Sequence, residues 1–195
     1  MDLKSYAKKE KIKYFMVTYT DLFGVQRAKL VPASAISDMQ KDGAGFAGFA
    51  SWLDMTPAHP DMLAVPDPES VIKLPWKKDV AWLASNCMME DKLVEQAPRN
   101  VLNKAIARAK KGNMRVKTGV EAEFFLLTPD GSAISDPFDN AEKPCYDQQA
   151  LMRRYDVIAE ICDYLGELGW GPYQNDHEDA NGQFEMNFEF DDALK

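Results

Sequence analysis

Both halves of residues 14 to 31, "YFMVTYTDLFGVQRAKLV", are rich in β-branched and aromatic residues, which predicts a β-hairpin. The "DLFG" between them puts Asp first and Gly last, as a type I turn prefers. Residues 32 to 70 read as irregular, because five prolines fall between Pro32 and Pro68 and "GAGFAGFAS" adds three glycines. "VAWLASNCMME", 80 to 90, reads as a strand. "APRNVLNKAIARAKKG", 97 to 112, reads as a helix, with Pro98 in the first turn, Val101, Ala105, Ile106 and Ala109 on one face, and Gly112 at the end. "TGVEAEFFLL", 118 to 127, is a strand stopped by "TPDGS". Leu151, Tyr155, Ile158, Cys162, Leu165 and Leu168 keep a 3.6-residue period, which predicts a helix over 150 to 168 ended by Gly169. "GQFEMNFEF", 182 to 190, alternates as a final strand. A hairpin region followed by helix, strand, helix and strand predicts an α+β fold with a boundary near residue 96.

Composition narrows the function classes. The chain has 195 residues, 46% hydrophobic and 28% charged, which is ordinary for a soluble globular protein. Its formal net charge of −8 and scattered lysine pairs argue against nucleic-acid or acidic-membrane partners, which require a basic patch. The N-terminal "MDLKSYAKKEKIKYF" lacks the apolar core of a signal peptide, and no apolar run is long enough to span a membrane. Cys87, Cys145 and Cys162 have no paired spacing and read as reduced thiols, so a cytoplasmic location is expected.

The candidate chemistry lies in two strands. Side chains alternate faces along a strand, so Glu121 and Glu123 share one face, with Cα atoms roughly 6.6–6.8 Å apart. Val120, Ala122, Phe124 and Leu126 form the opposite, apolar face, which needs helices over it. In "GQFEMNFEF", Phe184, Met186, Phe188 and Phe190 share one face, and Gln183, Glu185, Asn187 and Glu189 the other. "NDHEDANGQ" adds Asp176, His177, Glu178 and Asp179 just before. A lone E-x-E is most simply a strand with one face in water. Two acidic faces, each backed by an apolar one, change that if the strands pair. Carboxylates that close repel and raise one another's pKa, and a cation relieves the repulsion. Carboxylates with few histidines suit the hard ions Mg²⁺ or Mn²⁺, which commonly position phosphates. A divalent-metal phosphoryl-transfer site is therefore the sharper reading, and no Walker-type lysine loop accompanies it.

Four motifs together resemble the glutamine synthetase family: the hairpin "YTDLFGVQRAKLVP", the helix start "APRNVLNKAIARA", the strand "GVEAEFFLL" and the strand pair "HEDANGQFEM". The resemblance covers essentially the whole chain. It implies a β-grasp-like N-terminal domain, 1–96, followed by the start of a catalytic domain, 97–195, built on a curved antiparallel sheet with flanking helices. It implies rings of identical subunits with active sites shared between neighbours. The implied reaction is ATP-dependent joining of ammonia to the γ-carboxyl of glutamate through a γ-glutamyl phosphate, with Mg²⁺ or Mn²⁺ as cofactor. By motif position, Glu121 resembles a ligand of the metal bridging the ATP phosphates. Glu123, Glu178 and Glu185 resemble ligands of the metal nearer glutamate. Asp21 resembles a hairpin aspartate that reaches into the neighbouring subunit's site, binds ammonium and helps deprotonate it. On this reading Asp21 projects from a domain edge as a turn residue. The family's D-G-S-S loop is not visible; "GFAGFASWLD" occupies that region. The family's later ATP- and glutamate-binding residues fall beyond residue 195, so the chain reads as an N-terminal half, expected to be inactive alone. Two alternatives stand beside ammonia ligation. One is a relative that ligates a larger amine such as methylamine, for which "GAGFAGF" would shape a less polar pocket. The other is a non-catalytic ring-forming homologue, against which the four glutamates argue.

Overall fold

Tyr14–Thr20 (β1) and Gln26–Pro32 (β2) form the expected hairpin, paired antiparallel from Tyr14↔Pro32 to Thr20↔Gln26. The turn closes through Gly24 N–H to Asp21 O at 3.1 Å, with Gly24 at φ +80°, a conformation glycine adopts without a Cβ penalty. The structure is a computed structural model that describes residues 1–194. It divides into two compact units, Met1–Val116 with a short stretch from Ala193, and Lys117–Asp192.

In the first unit β1 runs parallel to Val80–Met89 (β6), the expected third strand. Phe15, Val17 and Tyr19 of β1 pack with Ala81, Leu83 and Cys87 of β6 in one buried core. Leu3 and Ala7 enter the same core from Leu3–Glu10 (α1), a helix the sequence reading did not include. Asp2 caps it by accepting from Ser5 N–H at 2.8 Å, so the local signals were an N-cap aspartate and apolar residues four apart.

The irregular reading of 32 to 70 is corrected. That stretch holds Ile36–Asp42 (α2), Ala44–Phe46 (β3) and Met62–Pro66 (β4). β3 pairs with β4 and β4 with β6, while Ile72–Lys73 (β5) and Lys92–Leu93 (β7) add two short pairings to β6. The path β2-β1-β6-β4-β3 makes a mixed sheet. Pro66 closes β4, where no further ladder donor is needed, and Gly43 and Gly45 give β3 the look of a loop.

Pro98–Lys111 (α3) is the expected helix, but its docking face is not the expected one. Val101 is 49% exposed, and the buried contact is Asn100, whose amide donates to Cys87 O at 2.8 Å and Val94 O at 2.9 Å. These bonds keep α3 with the first unit. The two compact units divide after Val116.

The second unit contains Glu121–Phe125 (β9, after the short Lys117–Thr118, β8), Pro172–His177 (β10) and Gln183–Phe188 (β11), antiparallel in the order β10-β11-β9. Asp191–Asp192 (β12) pairs with β8. The single helix expected over 150 to 168 is two, Gln148–Arg153 (α4) and Tyr155–Glu167 (α5). They part at Arg154, beside the point where Arg153 Nε reaches Asp136 at 2.6 Å and Arg154 bonds Ser135 O. Leu151, Ile158, Cys162 and Leu165 cover Phe124, Phe184 and Met186 as the periodicity predicts, while Tyr155 is exposed. The α+β class holds.

Candidate metal centre

The register of the three-stranded sheet decides which carboxylates meet. Glu185 lies opposite Glu123 on β9 and opposite Asp176 on β10, and Asn187 lies opposite Glu121. Directly opposed residues share a face, so the expected acidic faces of β9 and β11 are one continuous surface. Phe124, Phe184 and Met186 occupy the reverse side against α4 and α5. Glu178 follows β10 immediately, and one carboxylate oxygen from each of Glu123, Glu178 and Glu185 lies within 4.8 Å of the other two. Glu121 is not in this trio. It lines an adjacent cavity of about 300 Å³ with Gly119, Val120, Tyr173, Phe188, Glu189 and Phe190.

Amide side chains aim the carboxylates. Gln183 Nε2 donates to Glu123 at 2.7 Å, Asn187 Nδ2 donates to Glu185, and Gln174 Nε2 donates to Asn187 at 3.1 Å. Asp179 N–H donates to Glu178 at 3.0 Å. Each carboxylate of the trio thus has a neutral donor on one side and its carboxylate neighbours on the other. Such partners fix the orientation of metal ligands and are as consequential as the ligands themselves.

The electrostatics suit a cation. A hydrogen bond with Glu185 raises the Glu178 carboxyl above the ordinary glutamate range; the Asp179 amide opposes this, while partial burial and the charges of Glu185 and Glu123 add to it. Burial, then the charge of Glu185, raises Asp176 as well. A cation among the three carboxylates would relieve the repulsion that helps raise Glu178. Three carboxylates without histidine or cysteine fit a hard divalent ion.

The pH dependence follows from the raised Glu178 carboxyl. A carboxyl raised in the folded state stabilises the metal-free fold more as pH falls through its folded pKa, and less as pH rises. A metal bound by Glu178 competes with the proton this carboxyl takes up as pH falls. Mn²⁺ affinity should therefore weaken as pH drops from about 7 to about 5, approaching the ordinary glutamate range. A calorimetric titration at several pH values checks this, and a flat profile contradicts a role for the raised Glu178 carboxyl in holding the ion.

Asp21 departs from expectation. It is a turn residue, but it does not project: it is fully buried. Its Oδ1 accepts from Phe23 N–H at 2.9 Å and Val25 N–H at 3.0 Å, and its Oδ2 accepts from Arg27 Nε at 2.8 Å and Nη2 at 2.8 Å. Burial pushes its carboxyl up, but the Arg27 hydrogen bond, the two amides and the Arg27 charge outweigh it and hold the carboxyl below the usual range. The groups exposed at the hairpin tip are Leu22, Phe23 and Val25.

Sequence reasoning missed β10 as a strand, and with it the placement of Asp176 beside Glu185. It also missed Asp139, which is buried against His177. "NDHEDANGQ" carried the signal for Asp176; no local signal marks Asp139.

Residues 95–195 match the model of the glutamine synthetase catalytic domain. The chain belongs to the glutamine synthetase family. It is 74% identical over its whole length to a glutamine synthetase of Rhizobium leguminosarum bv. phaseoli, and 37% identical over 99% of it to a glutamate–methylamine ligase of Methyloversatilis universalis. Among solved structures, a GmaS/ADP complex superposes on 99% of the chain with a TM-score of 0.96 and 64% identity. In each case the chain spans 45% of the relative's length. Within the glutamine synthetase family the ligase type is shared, and Glu121, Glu123, Glu178 and Glu185 stand on the strands and strand end described above. No helix among the described residues is long and apolar enough to cross a membrane.

Proposed function

We propose that this chain is the first half of an ATP-dependent ligase that joins ammonia to the γ-carboxyl of glutamate. The observation that carries the reading is the convergence of Glu123, Glu178 and Glu185 on one point, with Glu121 beside it. In the reaction, the glutamate γ-carboxylate attacks the γ-phosphorus of ATP and ADP departs. Ammonia then attacks the acyl phosphate, phosphate leaves, and a proton is lost from nitrogen. Mg²⁺ or Mn²⁺ held by the carboxylates would neutralise charge on the transferring phosphoryl group. The trio Glu123, Glu178 and Glu185 would hold one ion, and Glu121 a ligand of a second. The cavity next to Glu121 has the aromatic rings of Tyr173, Phe188 and Phe190 among its walls, which suits a nucleotide base. The GmaS relative was solved with ADP, which supports a nucleotide in this family.

Two parts of the reading concern assembly. Ring-shaped homo-oligomers with shared sites belong to it, as does a cytoplasmic location, consistent with three free cysteines. For Asp21, whose carboxylate is enclosed by Arg27 and turn amides, we propose the role of bracing the hairpin tip rather than meeting the amine. A larger amine is the second reading. The methylamine-ligase relative and the exposed Phe49 and Trp52 in the apolar stretch favour it.

A coupled ADP-release assay tests this on the 195-residue chain and on a polypeptide carrying it followed by a relative's remaining half. The chain alone should release no ADP. The longer polypeptide should require glutamate and an amine together, with ammonia preferred over methylamine. Preference for methylamine selects the second reading; ADP release indifferent to glutamate and to either amine sinks both. Asp21→Asn should lower thermal stability and affect both amines alike. A selective loss of ammonia use would instead return Asp21 to the amine site.

A further inference from the structure

Glu178 is the one member of the trio outside a strand, because β10 ends at His177, although its N–H still bonds β11 at Gln183 O. A second hold on it comes from across the fold. His177 and the Asp139 side chain are completely buried, and His177 Nε2 meets Asp139 Oδ2 at 2.7 Å. The other ring nitrogen, Nδ1, donates to the backbone carbonyl of Glu178 at 2.9 Å. The imidazole is therefore a rigid spacer between Asp139 and the peptide of Glu178. Its ring also stands edge-on to Phe184, with centroids 5.1 Å apart, so it has no freedom to rotate away.

Asp139 grips the same loop at its far end. Its Oδ2 accepts from Gly182 N–H at 2.5 Å. Gly182 is at φ +78°, and a Cβ there would stand 2.6 Å from Ile134 Cγ2, so the backbone approaches this closely only as glycine. Residues 178–182, between β10 and β11, are thus clamped at both ends by one carboxylate, while Glu178 N–H donates to Gln183 O at 3.0 Å. Asp139 Oδ1 is buried with no partner among the described residues.

We infer that Asp139, acting through His177, is a positioning residue that holds Glu178 at the carboxylate trio. This rests on the metal reading of the trio proposed above. The carboxyl-to-carboxyl distances within the trio leave little tolerance, and partners that orient metal ligands typically contribute about 10–100-fold in affinity.

The test is Mn²⁺ binding to the full chain, followed by the paramagnetic resonance signal of free Mn²⁺, with metal-free melting measured alongside. Asp139→Asn should weaken Mn²⁺ binding about 10–100-fold per folded molecule. Asp136 supplies the comparison: it is also buried, three residues away, and pairs with Arg153 at 2.6 Å, remote in role from Glu178. Asp136→Asn should lower the melting temperature and leave Mn²⁺ affinity of the folded chain unchanged. Wild-type affinity in Asp139→Asn, whatever its melting temperature, overturns the inference. Should Asp139→Asn not fold, His177→Ala and His177→Asn carry the test. Affinity should fall in the alanine variant and partly return with asparagine, whose Nδ2 can stand where the ring Nδ1 stood; wild-type affinity in His177→Ala overturns the inference. A wild-type chain that binds no Mn²⁺ defeats the metal reading itself, an outcome separate from equal binding by wild type and variants.

Discussion

Glu185→Gln should move two measurements in opposite directions, raising the melting temperature of the metal-free chain while weakening Mn²⁺ binding about 100-fold or more. Glu185 faces Glu123 on one neighbouring strand and Asp176 on the other, and shares a hydrogen bond with Glu178. Like charges directly opposite one another destabilise a sheet. Glutamine has the same shape, keeps a carbonyl oxygen for the Asn187 amide, and removes the repulsion. It also removes one of the three carboxylates proposed to hold the ion. A residue that merely packed well would lose stability on substitution and leave metal binding alone. If stability and affinity fall together, Glu185 is structural; if affinity is unchanged, it is not a ligand.

Phe184→Ala should cost about 3–5 kcal/mol, within the range for deleting a buried phenylalanine ring. Phe184 is 1% exposed and packs with Phe124, Ile158, Met186 and the His177 ring. The fully buried cluster beneath the sheet consists of Ile158, Phe184 and Met186, with half-buried residues around it. Whole-domain stabilities are about 5–15 kcal/mol, so losing this ring removes a large share. Phe184 sits between Gln183 and Glu185 and points the opposite way, so it anchors the strand that presents the ligand. Amide hydrogen exchange of β11 reads the effect directly. Protection in β11 equal to wild type would show that the strand is held by something other than this core.

Much of the site was legible as alternation. The facing of Glu121 with Glu123, and of Glu185 away from Phe184 and Met186, follows from the two-residue period of a strand, which a local reading captures. The hairpin of β1 and β2 was legible for the same reason, with "DLFG" supplying the turn. Elements escaped where local pattern and tertiary role diverge. "PYQNDH" is polar on both faces because one face joins the acidic site and the other carries His177 to Asp139, so it reads as a loop although it is β10. β3 is three residues long in a glycine-rich stretch and β4 ends on a proline, so neither declares itself. α3 docks through Asn100, a polar residue satisfied by Cys87 O and Val94 O, and an apolar periodicity cannot announce such a contact.

The sequence by itself determined which side chains share a face, the donor chemistry of four glutamates, and the family resemblance their motifs carry. Only the tertiary structure decided that Glu123 and Glu185 are opposed, because a slip of one residue in strand register would send every carboxylate of β11 to the apolar side. It also decided that Asp21 is enclosed: the same turn aspartate is open or buried according to whether Arg27, six residues away on the returning strand, folds back onto it. Asp139 reaches His177 across 38 residues and Gly182 across 43. No periodicity spans such separations, because contacts between distant segments are chosen by packing and hydrogen bonding after the local elements have formed.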